Sequence, residues 1–231
     1  MKLRVKFSKH GPIRFIGHLD IMRYFQKAVR RSGIPVCYSQ GFSPHQIMSF
    51  AAPLGVGIES EGEYFDMEVE SVTNESDMVK ALNDAMAEGM EIKGMRILPE
   101  KAQNAMASIK AASYRVKIRN GAGDGIDFKQ RIDMFLNEEE ILYEKETKKG
   151  SVTRNIRPCV YELSLLENGE LYMLVDASSA GNLKPGAVVE CLYRYGNETY
   201  QSTDLLITRI DAFTENEEHE LISLGEVGDK F

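Results

Sequence analysis

From its second residue the chain alternates apolar and polar positions, with Leu3, Val5 and Phe7 set against Lys2, Arg4 and Lys6. Period two predicts a strand over 2–8 with the apolar side chains inward and the three cations together on the other face. After Gly11-Pro12 the period changes. Ile21, Met22, Phe25, Ala28 and Val29 recur at helical spacing over 18–32, and Gly33 ends the run. At 100° per residue they share one third of the helical wheel, while Arg23, Lys27, Arg30 and Arg31 share the opposite third. An extended piece at 34–38, a polar loop at 39–45 and a strand at 47–52 follow. Glycines punctuate 55–62 before a strand at 64–69. A helix capped by Asn74 or Ser76 runs to about 87 and stops at Gly89, and a strand spans 91–98 before Pro99.

The same order of elements returns in the second half, though not the same residues. A strand is predicted at 113–118, a helix at 127–136 and a strand at 141–145. A hairpin joins 160–166 to 171–175 around Asn168-Gly169, the strongest short turn signal in the chain. Pro185 opens a helix to Tyr195, and 205–213 is the last strand. The expected fold class is α+β, as tandem ferredoxin-like (βαββαβ) domains. The expected domains are 1–99, carrying the basic helix and the His/Gly loop, and 113–213. An Ala-rich connector at 100–112 joins them, and an acidic, frayed tail covers 214–231.

Charge changes this picture more than composition does. The 231 residues carry 28 basic and 35 acidic side chains, a net of −7, which argues against indiscriminate coating of nucleic acid, and no DNA is expected as partner. The distribution is uneven. Residues 1–58 hold nine basic side chains and the single acid Asp20, a local +8, and the remaining 173 residues hold 19 basic against 34 acidic, a local −15. That asymmetry predicts one face made for an anionic partner on an acidic body. No apolar run approaches the length of a membrane helix and the N-terminus lacks the apolar block of a signal peptide, so a cytoplasmic protein without membrane contact is expected. Cys37, Cys159 and Cys191 are too widely spaced for a disulfide framework or a metal knuckle.

Candidate chemistry concentrates between His10 and His45. There is no phosphate-binding Gly-x-x-x-x-Gly-Lys loop, no His-Glu-x-x-His and no Gly-x-Ser-x-Gly. Glu59, Glu61 and Glu63 alternate as a solvated edge does. Lys9, Arg14, Tyr24, Tyr38 and Ser43 accompany three histidines. His18 stands at the start of the basic helix, where backbone N–H groups disfavour a charged imidazole; it projects toward the apolar side, which fits a packed histidine. His45 follows Gly41-Phe42-Ser43-Pro44 in a polar loop, where a glycine permits close approach of a ligand, which fits a functional one. His10 and His219 are expected to be solvated. His18, Asp20 and His45 lack diagnostic metal-ligand spacing, and Asp20 is expected to pair with Arg23 or Tyr24 or to cap the helix. No metal and no cofactor are expected. Phe15, Tyr38 and Phe42 interleave with the basic residues as stacking platforms for single-stranded RNA do, whereas Phe7, Phe25 and Phe50 read as core.

Three stretches together resemble a known family: 7–20 (Phe-Ser-Lys-His-Gly-Pro-Ile-Arg-Phe-Ile-Gly-His-Leu-Asp), 38–45 (Tyr-Ser-Gln-Gly-Phe-Ser-Pro-His) and 53–63 (Pro-Leu-Gly-Val-Gly-Ile-Glu-Ser-Glu-Gly-Glu). The family is a bacterial radical-SAM-linked domain of unknown function, fused to or encoded beside a radical SAM protein. The resemblance implies an accessory module with a radical SAM protein as partner and an association with RNA metabolism. The chain has no Cys-x-x-x-Cys-x-x-Cys motif with which to hold that partner's iron–sulfur cluster. Tandem ferredoxin-like domains with scattered histidines also resemble the CRISPR repeat-processing endoribonucleases, by architecture alone.

Three functions follow as expectations. The first is a non-catalytic module presenting an RNA or another anionic substrate, with Arg23, Lys27, Arg30 and Arg31 on phosphates and Lys9, Arg14, His18, Gly41, Phe42, Ser43 and His45 lining the recognition site. The second is a metal-independent endoribonuclease with His18 or His45 as general base and Tyr24 or Lys9 assisting. The third is a protein-binding scaffold whose basic face meets an acidic partner.

Overall fold

The computed structural model describes residues 1–147 and 150–231, with side-chain surroundings for all of these but 145–147. It has the expected α+β class, with mostly antiparallel strands and few helices, and divides into two compact units. Unit 1 comprises Met1–Lys110 and Arg209–Phe231, and unit 2 is Ala111–Thr208.

Unit 1 begins with β1 (Lys2–Lys9), a 3-10 turn (Gly11–Phe15) and α1 (His18–Ser32). β2 (Met48–Phe50), β3 (Glu59–Glu68), α2 (Glu75–Asn83), β4 (Met90–Ile97) and the short α3 (Ala105–Ser108) follow. β1 lies between β3 and β4, antiparallel to both, with Val5 opposite Phe65 on one side and Met95 on the other. β2 pairs with β3, Phe50 opposite Phe65, so the strand order is β4-β1-β3-β2. α1 buries Ile21, Phe25, Ala28 and Val29 against Leu3, Val5 and Phe7, and Gly33 takes the left-handed conformation at φ +73° that ends the helix. Four phenylalanines form the centre. Phe25 lies 4.6 Å from Phe7, 4.8 Å from Phe65 and 5.5 Å from Phe50, centroid to centroid.

The structure departs from the sequence reading at β3, which starts at Glu59 rather than 64. Its acidic start is not a solvated edge: Glu63 is buried, and Glu59 and Glu61 are half-buried. The polar face of β1 is not solvated either. Arg4 is 2% exposed, because residues beyond β4 and the end of the chain cover that face.

Unit 2 contains β5 (Ala111–Ile118), α4 (Phe128–Asn137), β6 (Leu142–Thr147), β7 (Gly150–Asn155), β8 (Val160–Leu165), β9 (Leu171–Asp176) and α5 (Pro185–Arg194). β10 (Leu205–Glu215) starts in unit 2 and ends in unit 1. The order in unit 2 is β10-β5-β9-β8. The expected hairpin is present, with Leu165 opposite Leu171 and Gly169 at φ +80°. The expected strand at 141–145 is β6, but its partner β7 was invisible in a sequence stretch without apolar alternation; the two form a separate two-stranded antiparallel sheet.

The C-terminal residues are not a frayed tail. β10 continues to Glu215 in unit 1, β11 (Leu221–Ser223) returns along it with Phe213 opposite Ser223, and Asp229 bridges Ile97. Phe231 packs on the core of unit 1. Acidic composition suggested fraying, yet Leu224 is fully buried and anchors the return. Among the described residues no helix is long and apolar enough to cross a membrane.

Candidate functional site

Half of the N-terminal positive charge is cancelled inside unit 1. Arg4 makes two bonds to Asp66, at 2.9 and 3.1 Å. Lys6 donates to Asp211 at 2.8 Å, Lys9 lies 3.3 Å from Glu63, and Arg14 donates to Glu59 at 2.5 Å. The four acids come from β3 and β10, far along the chain, which is why local charge counting missed them. The cations left on the surface belong mainly to α1. Arg23, Lys27, Arg30 and Arg31 are all exposed, on one side of the helix. Arg23 meets Asp20 at 3.2 Å in an exposed pair that contributes little, and Arg31 donates to the neutral carbonyl of Ala85 at 2.7 Å. The sequence-predicted basic face thus survives folding as an exposed row of positive charge.

At the N-terminal end of α1 a polar cluster lies on the end of β1 and the first half of β3. Lys9 and Glu63 are 2% and 6% exposed. Arg209, also buried, donates to the carbonyls of Gly62 and Ala52 and lies 3.8 Å from the second Glu63 oxygen. His18 joins Lys9 and Glu63 around a cavity of about 10 Å³, roomy enough for one water, and its ring meets Phe50 edge-on at 5.9 Å. His18 is half-buried, with its ring against Phe50 and beside the Lys9–Glu63 pair. Nearby, His10 lies 3.5 Å from Glu61 and 3.9 Å from Glu59, so it is not simply solvated. Arg14 lies over the exposed ring of Phe15 at 4.8 Å. Phe15, Ile16, Leu19 and Val56 are all exposed at this end.

Burial works against ionisation of Glu59, but the Arg14 guanidinium and the Gly11 N–H outweigh it and hold this carboxyl below its ordinary 4.5. A depressed carboxyl stabilises the fold above that value, and the contribution is lost as pH falls through the folded pKa. We expect Glu59→Gln to be less stable than the parent at about pH 6 and to show a shallower loss between about pH 5 and about pH 3. Denaturant unfolding at several pH values checks this, and parallel acid limbs would show that the pair contributes nothing.

The second sequence candidate lies elsewhere. In the loop 39–45, Ser39 Oγ pairs with His45 Nδ1 at 2.8 Å and accepts from the His45 N–H at 3.1 Å. Gly41, at φ +118°, Phe42, Ser43 and His45 are exposed, Phe42 completely. The register of β2 on β3 carries this loop to the Val69 end of the sheet, beyond the Tyr38–Gln46 bridge. From Phe50, on which His18 rests, to Gln46 run four residues of extended chain, about 13 Å. The structure does not bring His18 and His45 together. Tyr24 is not beside either: its hydroxyl accepts from the Ala87 N–H and so ties α1 to the chain after α2. Lys9 is held against Glu63. Among the described residues no three His, Cys, Asp or Glu side chains form a metal-binding group. Cys37, Cys159 and Cys191 are free thiols.

Sequence reading missed Glu59, Glu63, Asp66, Asp211 and Arg209. The signal for the first two was the alternation 59–63 running without a break into the apolar strand that follows; nothing local marked the others. No curated protein matches the chain. Residues 2–185, including the whole polar cluster but Arg209 and every candidate on α1 and the 39–45 loop, match a family described as an uncharacterized protein conserved in bacteria (DUF2344), and the chain belongs to that family.

Proposed function

We propose that the protein is an accessory module that binds RNA along α1 and presents it to a radical SAM partner. The observation that carries the reading is the row Arg23, Lys27, Arg30 and Arg31, left exposed when Arg4, Lys6, Lys9 and Arg14 are taken up by carboxylates. Positions i, i+4, i+7 and i+8 on one helix track a phosphate backbone, and Phe15 at the head of the row offers a ring on which an unpaired base stacks. The radical SAM partner rests on the resemblance of residues 7–63 alone. Strand paths β4-β1-β3-β2, with α1 and α2, and β10-β5-β9-β8, with α4 and α5, support reading both units as ferredoxin-like.

Four phosphate contacts to a single strand give a log–log salt slope of about −3. Arg23→Glu, Lys27→Glu and Arg30→Glu together are expected to bring it near −1 and to abolish binding at physiological salt. Filter binding of cellular RNA across a salt series checks this. Retention that is indifferent to salt, or unchanged in the triple variant, overturns the reading.

The exposed apolar residues Phe15, Ile16, Leu19 and Val56 favour one second reading, a protein-docking scaffold. Capture of a radical SAM protein that withstands high salt and is lost in Leu19→Asp, with no RNA retained, would favour it.

A further inference from the structure

Lys9 and Glu63 are buried together in unit 1, yet they do not satisfy each other. The Lys9 ammonium stands 3.3 Å from Glu63 Oε1, and that oxygen accepts no hydrogen bond within the protein. The contact is an ion pair, longer than the roughly 2.7–2.9 Å of a charge-assisted bond. Arg209 does not supply the missing donor. It gives its hydrogen bonds to the carbonyls of Gly62 and Ala52 and lies 3.8 Å from the other oxygen, Oε2. Buried carboxylate oxygens are rarely left without a donor, so this one marks a place where a partner from outside the chain belongs.

Lys9 and Glu63 both line the cavity of about 10 Å³, which has space for one water-sized group. Ile16 and Pro53, both exposed, also line it, so it lies within reach of solvent beside the head of α1. The chemistry of the walls restricts what fits. An anion has nothing to donate to Glu63 Oε1, and a cation has nothing to accept from Lys9, which can only donate. The group must do both and be little larger than one oxygen. A hydroxyl meets these conditions.

We propose that this cavity takes the 2′-hydroxyl of one ribose, which donates to Glu63 Oε1 and accepts from Lys9. The inference rests on the RNA reading of α1 and gives it a means of telling RNA from DNA, since the 2′-hydroxyl is the donor and acceptor that DNA lacks. Ile16, at the rim, follows Phe15, on whose ring the unpaired base is placed, and His18, the first residue of α1, forms part of the wall. The sugar of the stacked nucleotide is thereby brought to the rim.

The test is fluorescence anisotropy of the full chain with a labelled oligouridine, its 2′-deoxy counterpart and its 2′-O-methyl counterpart, each across a salt series. The ribo form is expected to bind about tenfold more tightly than the deoxy form, the effect of one hydrogen bond to a charged group. It is expected to exceed the 2′-O-methyl form by at least as much, because that form has no donor and adds a methyl group to a cavity of one-water size. The three salt slopes are expected to coincide, since the phosphates are the same. In Glu63→Gln the ribo preference is expected to be largely lost, with melting temperature as the check on folding; the comparison in the parent protein needs no variant and decides the matter if Glu63→Gln unfolds. Equal affinity of the three oligonucleotides with a shared salt slope overturns the proposal, the cavity then taking water only, and leaves RNA binding along α1 standing. A ribo preference that survives in folded Glu63→Gln also overturns it, and no binding of any oligonucleotide at low salt overturns both readings.

Discussion

Asp66→Ala is expected to lower the stability of the protein by about 3–5 kcal/mol, the cost of leaving a buried charge without its partner. Arg4 is 98% buried by its residue area, at 2% exposure. Its guanidinium is held by both Asp66 oxygens and by the Gln103 carbonyl at 3.1 Å. Asp66 Oδ2 also accepts the Ala105 N–H at 2.8 Å, at the start of α3. Alanine at 66 removes the counter-charge and orphans that N–H in one step. Equilibrium unfolding in urea measures the loss. Arg4→Met with Asp66→Leu is expected to regain most of it, because two apolar groups need neither charge nor hydrogen bond. A loss below about 1 kcal/mol would mean that water reaches the pair.

Phe25→Ala is expected to cost a similar amount, about 3–5 kcal/mol, through a different mechanism. Phe25 is fully buried and touches three other phenylalanine rings within 5.5 Å. Removing it deletes apolar contact and leaves a cavity that the stiff sheet beneath cannot close. Phe25→Leu retains most of the volume and is expected to lose well under half as much. Thermal unfolding of both variants gives the comparison, and equal losses would show that ring geometry, not volume, sets the stability here.

These two sites mark where the chain was legible and where it was not. Phe25 was readable because its environment is local in pattern: its own helix repeats apolar residues every three or four positions, and Phe7 and Phe50 sit in runs of alternating or apolar character. The burial of Arg4 was not readable for the same reason. Its neighbours Lys2 and Lys6 made a polar face, and a polar face on a strand reads as solvent-facing unless something distant covers it. What pairs with it here is Asp66, its cross-strand neighbour sixty-two positions on, and Asp211 does the same for Lys6 from 205 positions away. The basic row on α1 was legible because helical periodicity alone decides which residues share a face. The separation of His18 from His45 was not, because it depends on the register of β2 on β3, and a three-residue strand leaves almost no sequence signature of its register.

Unit 1 is discontinuous: its first 110 residues are completed by Arg209–Phe231, made after all of unit 2. During vectorial synthesis, β1, α1 and β3 leave the ribosome some hundred residues before Asp211 exists to meet Lys6, or Arg209 to meet Glu63. Unit 2 is contiguous and has all its residues first. Co-translational completion of an N-terminal unit as it emerges is therefore not open to unit 1: Lys6 and Glu63 gain their β10 partners only after every residue of unit 2 has been made.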